Sequence, residues 1–189
     1  MRPTPVAAAQ FFAGDPPLLE WPVLLAEGDS WFTLGELTGP AATNLLLQLE
    51  LAQRSTVVTA AYPGDTLQHM VDGIDDPHFD RLLRDPGFAM SWSAIVVSAG
   101  GNDLIDAAGV RPHRGDGSTV PLSQRLLLAP DETDAQHPGE PGPGRWISEP
   151  GWVALAGFLR HNLGVLVQRR DSGAAAGRAL LLHTYSVPT

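Results

Sequence analysis

The sequence predicts an α/β fold built on a mostly parallel sheet, and two observations carry that expectation. Short apolar runs at residues 23–26, 56–61, 94–98 and 179–182 recur along the chain, each closed by turn residues. Longer stretches between them place apolar residues at helical spacing. Aliphatic and β-branched runs of this length suit strands buried on both faces, and strands alternating with helices imply crossover connections.

Taken in order, the chain opens with a short apolar run at residues 6–13. It is interrupted by Gln10 and preceded by a single Arg2, so it reads as a surface segment, with a secretory leader as the minor alternative and the cytoplasm as the expected compartment. The strand at 23–26 ends in Glu27-Gly28-Asp29, that at 56–61 in Tyr62-Pro63-Gly64, that at 94–98 in Ala99-Gly100-Gly101, and that at 179–182 in His183-Thr184. Helices are expected over 39–54, with Leu45, Leu46, Leu49 and Ala52 on one face, and over 66–83, interrupted near Pro77. A further helix is expected over 152–169, with Leu155, Phe158, Leu159, Leu163 and Leu166 in register. Residues 106–150 are rich in proline and glycine around one apolar island, Leu126-Leu127-Leu128, and read as a long loop insertion on the surface of a single domain spanning 1–189.

Composition narrows the function classes. The formal charge of -9, with only 12 Lys and Arg scattered along the chain, argues against binding a nucleic-acid backbone. There is no cysteine, which removes disulfides, thiolate catalysis and Cys-based zinc sites. No apolar stretch approaches the about 18 residues of a membrane-spanning helix.

The chemistry gathers at the carboxyl ends of the expected strands, where open parallel sheets form their ligand crevice. Gly28-Asp29-Ser30 follows the first run, Gly64-Asp65-Thr66 the second and Gly100-Gly101-Asn102-Asp103 the third. A serine just past a strand and entering a helix presents its hydroxyl, and its backbone N–H is placed to stabilise an oxyanion. The Gly64 N–H can approach a substrate oxygen closely, and Asn102 adds a neutral amide donor. Asp29 and Asp103 are expected to brace these turns by accepting backbone N–H bonds, and Thr66 with Asp65 to cap the following helix. Trp31 and Phe32 are expected to pack on the sheet in preference to lining an acyl pocket.

In order and spacing these segments resemble three of the four sequence blocks of the SGNH hydrolase superfamily, which includes the GDSL lipases and esterases. The resemblance covers residues from about 22 to 185. It implies a flavodoxin-like three-layer fold with strand order 2-1-3-4-5, Ser30 as nucleophile, and an oxyanion hole from the Ser30 N–H, the Gly64 N–H and the Asn102 side chain. Gly100 and Gly101 would shape the third block. The substrate would be a small-molecule ester, with no metal and no cofactor.

The family's fourth block, Asp-x-x-His, supplies the base that a serine hydroxyl needs. No such motif follows the third strand here, and the sequence reaches Val187-Pro188-Thr189 just past the fourth. The fifth strand and last helix are therefore expected to be missing, leaving a sheet edge open to self-association. His69, His78, His113, His137 and His161 lie elsewhere along the chain. His183 closes the fourth strand on the same edge as Ser30 and is expected to support the site from behind the reacting groups. Two other readings stand beside the esterase: a catalytically silent relative that holds an acyl or glycan ligand, and a phosphate or flavin binder, which lacks a phosphate loop after the first strand.

Overall fold

The structure is a computed structural model that describes residues 1–13, 18–33, 44–74, 76–88 and 92–183. The fold is α/β, a flavodoxin-like arrangement around one five-stranded, all-parallel sheet. Its strands are β1 (Thr4–Ala7), β2 (Val23–Gly28), β3 (Thr56–Thr59), β4 (Ala94–Ser98) and β5 (Ala179–His183). The helices are α1 (Ala8–Phe11), α2 (Leu45–Gln48), α3 (Leu67–Val71), α4 (Pro77–Arg84), α5 (Gly101–Gly109), α6 (Pro130–Gln136) and α7 (Glu149–Ser172). None of the described helices is long and apolar enough to cross a membrane.

The spatial order is β1-β3-β2-β4-β5. The four strands expected from the sequence hold the relative order foreseen for them, but the fifth strand is β1, beside β3, and not one that follows β5. The start of the N-terminal run is thus part of the sheet and not a surface segment, while the rest forms α1: Val6 and Ala8 are buried, and Thr4 N–H donates to Ser55 O at 2.9 Å. Pro5, which cannot donate to a ladder, is tolerated there because β1 is an edge strand.

Every residue of β2 and β3 is buried, as befits central strands. Alternation divides their side chains between two faces. Leu24, Ala26 and Val57 cluster with Phe32 and Leu46 on one. Glu27 therefore shares the opposite face with Val23 and Leu25. The amphipathic helix α4 buries Phe79, Leu82 and Leu83. Trp92, also fully buried, spends its one polar group on Leu82 O at 2.8 Å, which fastens α4 to the approach of β4. Arg169 Nη1 reaches Asp80 on the same helix at 2.6 Å.

Three expected helices differ in extent. Over 39–54 only α2 is helical among the described residues; residues 39–43 lie outside them. Asn44 starts α2 by accepting Leu46 N–H, and Leu49 is already extended, so the helical spacing of leucines outruns the helix. The stretch 66–83 divides into α3, capped by Thr66, and α4, capped by Asp76 with Pro77 in its first turn. Helix α7 is longer than expected at both ends.

The chain forms two compact units, Met1–Gly100 with Asn162–Thr189, and Gly101–His161. The first holds the sheet. The second holds α5, α6, the start of α7 and most of the Pro/Gly-rich region, which is built and not structureless. Leu126 and Leu128 of the apolar island are buried while Leu127 is exposed, and Leu127 bridges to Ile147. The buried Arg125 guanidinium binds Val120 O at 3.0 Å, Leu127 O at 2.9 Å and both oxygens of Glu132. Those contacts organise a segment whose composition offers little periodicity.

Candidate functional site

Within the first unit, the ends of β2, β3, β4 and β5 bring together the turns that bear Ser30 and Gly64 with Ser98 and His183. Ser30 is exposed and sits in a turn closed by Phe32 N–H on Asp29 O at 3.0 Å. It was expected to enter a helix; among the described residues it does not, and residues 34–43 lie outside them. The turn is held from below. Asp29 is 2% exposed and its Oδ1 accepts Trp31 N–H at 3.1 Å, while Thr33 Oγ1 donates to Asp29 O at 3.0 Å. Leu45 N–H on Trp31 O and the Asn44 amide on Thr33 O tie the far side of the turn to α2.

The Gly64 turn is docked to the same strand end. Tyr62 N–H donates to Gly28 O at 2.9 Å, and Asp65 N–H donates to Tyr62 O at 3.2 Å. Gly64 has φ +81°, a conformation that disfavours any side chain, and open space where a Cβ would stand. Among the described residues, no group accepts a hydrogen bond from the backbone N–H of Ser30 or Gly64.

On the other side, Gly28 allows the ends of β2 and β4 to close up. A Cβ on Gly28 would lie 2.9 Å from Ser98 Cβ and 3.0 Å from Ser98 O. Ser98 uses the approach to link three strand ends: its Oγ donates to Asp29 Oδ1 at 3.3 Å and lies 3.1 Å from His183 Nδ1. The His183 ring packs near Trp31 and Phe32, with centroids 6.5 and 6.3 Å away. His183 thus meets the Ser30 turn through Ser98 and two aromatic rings. Phe32 is buried as foreseen, but Trp31 is largely exposed. Beside them Phe32, Leu45, Leu49, Val96, Leu182 and His183 line an apolar cavity of about 330 Å³.

Gly100, with φ +96°, ends the turn after β4. Gly101, Asn102 and Asp103 form the first turn of α5 in the second unit, with Asp103 buried.

The structure also assembles a group that the sequence pattern did not single out. Glu27, fully buried in β2, lies with Asp65 and Asp76 so that one carboxylate oxygen from each falls within 4.8 Å of the others. Glu27 Oε1 accepts Gly28 N–H at 2.7 Å, and Asp76 Oδ1 accepts Phe79 N–H at 3.0 Å. Their second oxygens, Glu27 Oε2 and Asp76 Oδ2, are buried without a donor among the described residues. Burial, then the neighbouring Asp76 carboxylate, hold the Glu27 carboxyl well above its ordinary value. The same two causes push Asp65 up to about 6, against the opposing pull of His69, whose Nδ1 is 3.3 Å away. The available signal was a glutamate directly continuing an apolar run, Leu24-Leu25-Ala26-Glu27, which reads equally well as the first turn residue.

Comparison with known protein families, with curated proteins and with solved structures finds no match to this chain.

Proposed function

We propose that this protein is a serine ester hydrolase of the SGNH/GDSL type, in which Ser30 attacks the acyl carbonyl of a small-molecule ester, its hydroxyl proton passing to a general base outside the described residues and the alcohol leaving as the acyl-enzyme forms. The supporting observation is the exposed Ser30 hydroxyl on a turn braced by buried Asp29, at the end of a central parallel strand, beside the docked Gly64 turn. The Ser30 and Gly64 N–H groups are the donors for the tetrahedral oxyanion, and loss of one such donor costs about 10²–10³ in rate. His183 is a positioning residue that steadies Asp29 and the Ser30 turn through Ser98. The cavity beside Phe32 suits an apolar acyl group.

A fluorophosphonate probe and a p-nitrophenyl ester test this reading. Ser30 is expected to be labelled and the ester hydrolysed, with both lost in Ser30→Ala. Failure of the folded wild-type protein to label or turn over ester would overturn it.

The same apolar cavity favours a second reading, a domain that holds an acyl ligand without cleaving it. Saturable binding of a fatty acyl ester that is recovered intact, unchanged in Ser30→Ala, would establish that reading in place of the first.

A further inference from the structure

We propose that Glu27, Asp65 and Asp76 form a binding site for a hard divalent cation of the calcium class, set behind the turns that carry Ser30 and Gly64. This site is independent of the ester chemistry and goes beyond it.

The donor set is three carboxylates, the oxygen ligands that calcium and magnesium take, with no thiolate available anywhere in the chain. Calcium–oxygen bonds of about 2.3–2.6 Å let one ion join oxygens up to about 5 Å apart. A separation within 4.8 Å meets that span as it stands. Magnesium, at about 2.0–2.1 Å and with a strict octahedron, would require the three groups to contract.

The second observation is the pair of buried oxygens that no donor satisfies among the described residues. Glu27 is 0% exposed and its Oε2 has no donor among the described residues; the Oδ2 of half-buried Asp76 is likewise buried without one. Among the described residues neither Glu27 nor Asp76 forms an ion pair. A buried carboxylate left so is costly, and buried charges are ordinarily paired or coordinate metals. Both oxygens belong to residues whose other oxygen is engaged by a backbone N–H, so each carboxylate is fixed in direction before any ion arrives.

The placement suggests a purpose. Glu27 lies in β2 ahead of the Ser30 turn, Asp65 directly follows Gly64, and Asp76 caps α4. An ion bound to all three would clamp two strand ends and a helix start to one another.

The test is isothermal titration of chelator-stripped, full-length protein with CaCl₂, then with MgCl₂ and MnCl₂, alongside thermal unfolding. One calcium per chain is expected, bound more tightly than magnesium, with Tm raised by calcium. Glu27→Gln and Asp76→Asn should each weaken calcium at least about tenfold, because affinity follows ligand charge. Both are near-isosteric, and circular dichroism shows whether each is folded; if one is not, the other carries the comparison. Absence of calcium binding to the wild type at millimolar concentration would overturn the proposal and leave a proton shared between Glu27 and Asp76 as the account of the cluster. Binding undiminished in a folded variant would overturn it too, by placing the ion elsewhere. Ester hydrolysis enters none of these readouts, so this proposal and the functional one fail separately.

Discussion

Ser98 and His183 are register partners on β4 and β5, and the Ser98 hydroxyl lies 3.1 Å from His183 Nδ1. Serine has one proton to give, and Ser98 directs it to Asp29 Oδ1. It then accepts from His183, which places a proton on Nδ1. Ser98→Ala breaks this link between buried Asp29 and His183. We expect a loss of about 1–2 kcal/mol in stability, measured by denaturant unfolding. The His183 ¹⁵N spectrum should show the tautomer preference weakening in the variant, a change that a merely local packing defect would not produce.

Ser30→Ala is expected to separate chemistry from stability. The side chain is exposed, and the turn is held by Asp29 and by backbone bonds that alanine retains. Unfolding free energy should change by less than about 0.5 kcal/mol. Fluorophosphonate labelling and ester turnover should vanish. A large stability change would show that Ser30 braces the turn and would remove the clean reading of lost activity.

Gly28→Ala should damage the strand ends from inside. The added methyl would meet Ser98 Cβ at 2.9 Å, Ser98 O at 3.0 Å and the Phe32 ring at 3.1 Å, and the carbonyl belongs to backbone already committed to the sheet. Overpacking of this kind costs about 1–3 kcal/mol. Ester turnover should fall as well, since the Asp29–Ser98 link spans the same gap. Thermal unfolding and steady-state kinetics of the variant check the two effects together.

Acid should weaken the second unit through Glu132. Its hydrogen bond from Arg125, then one from Ala129 N–H, hold its carboxyl below the ordinary value of 4.5. A lowered folded pKa means stability that is present above 4.5 and is lost as pH falls through the folded value. Urea unfolding between about pH 3 and 7 should therefore show a decline below about pH 4.5 that is reduced in Glu132→Gln. At neutral pH that variant leaves the buried Arg125 charge without its counter-charge. We expect a cost of about 2–4 kcal/mol, somewhat below that of a fully buried pair because Glu132 keeps partial solvent access.

Much of the framework was legible because the signals were local. Val57 and Val58, or Ile95, Val96 and Val97, announce buried strands by composition alone, and Tyr62-Pro63-Gly64 announces the turn that follows. Helix limits were less legible: Leu49 continues the helical spacing of Leu45 and Leu46, yet its backbone is extended. Strand β1 was missed because its residues sit at the head of the apolar run 6–13, whose spacing alone does not show that Thr4–Ala7 pairs with β3. Arg125 was passed over because nothing nearby in sequence marks a cation that will be buried against four acceptor oxygens.

That strands alternate with helices in a parallel sheet, and that Ser30, Gly64 and Asn102 each follow a strand, can be read from the chain alone. Those properties depend on residue type and on spacing within a few positions. Folding alone reveals which strand takes the β3 edge, that Ser98 joins Asp29 to His183, and that Glu27, Asp65 and Asp76 converge. Each of these is a meeting of side chains tens of residues apart, and proximity of that kind is created by the packing of the sheet and its helices. No local pattern in the chain encodes it.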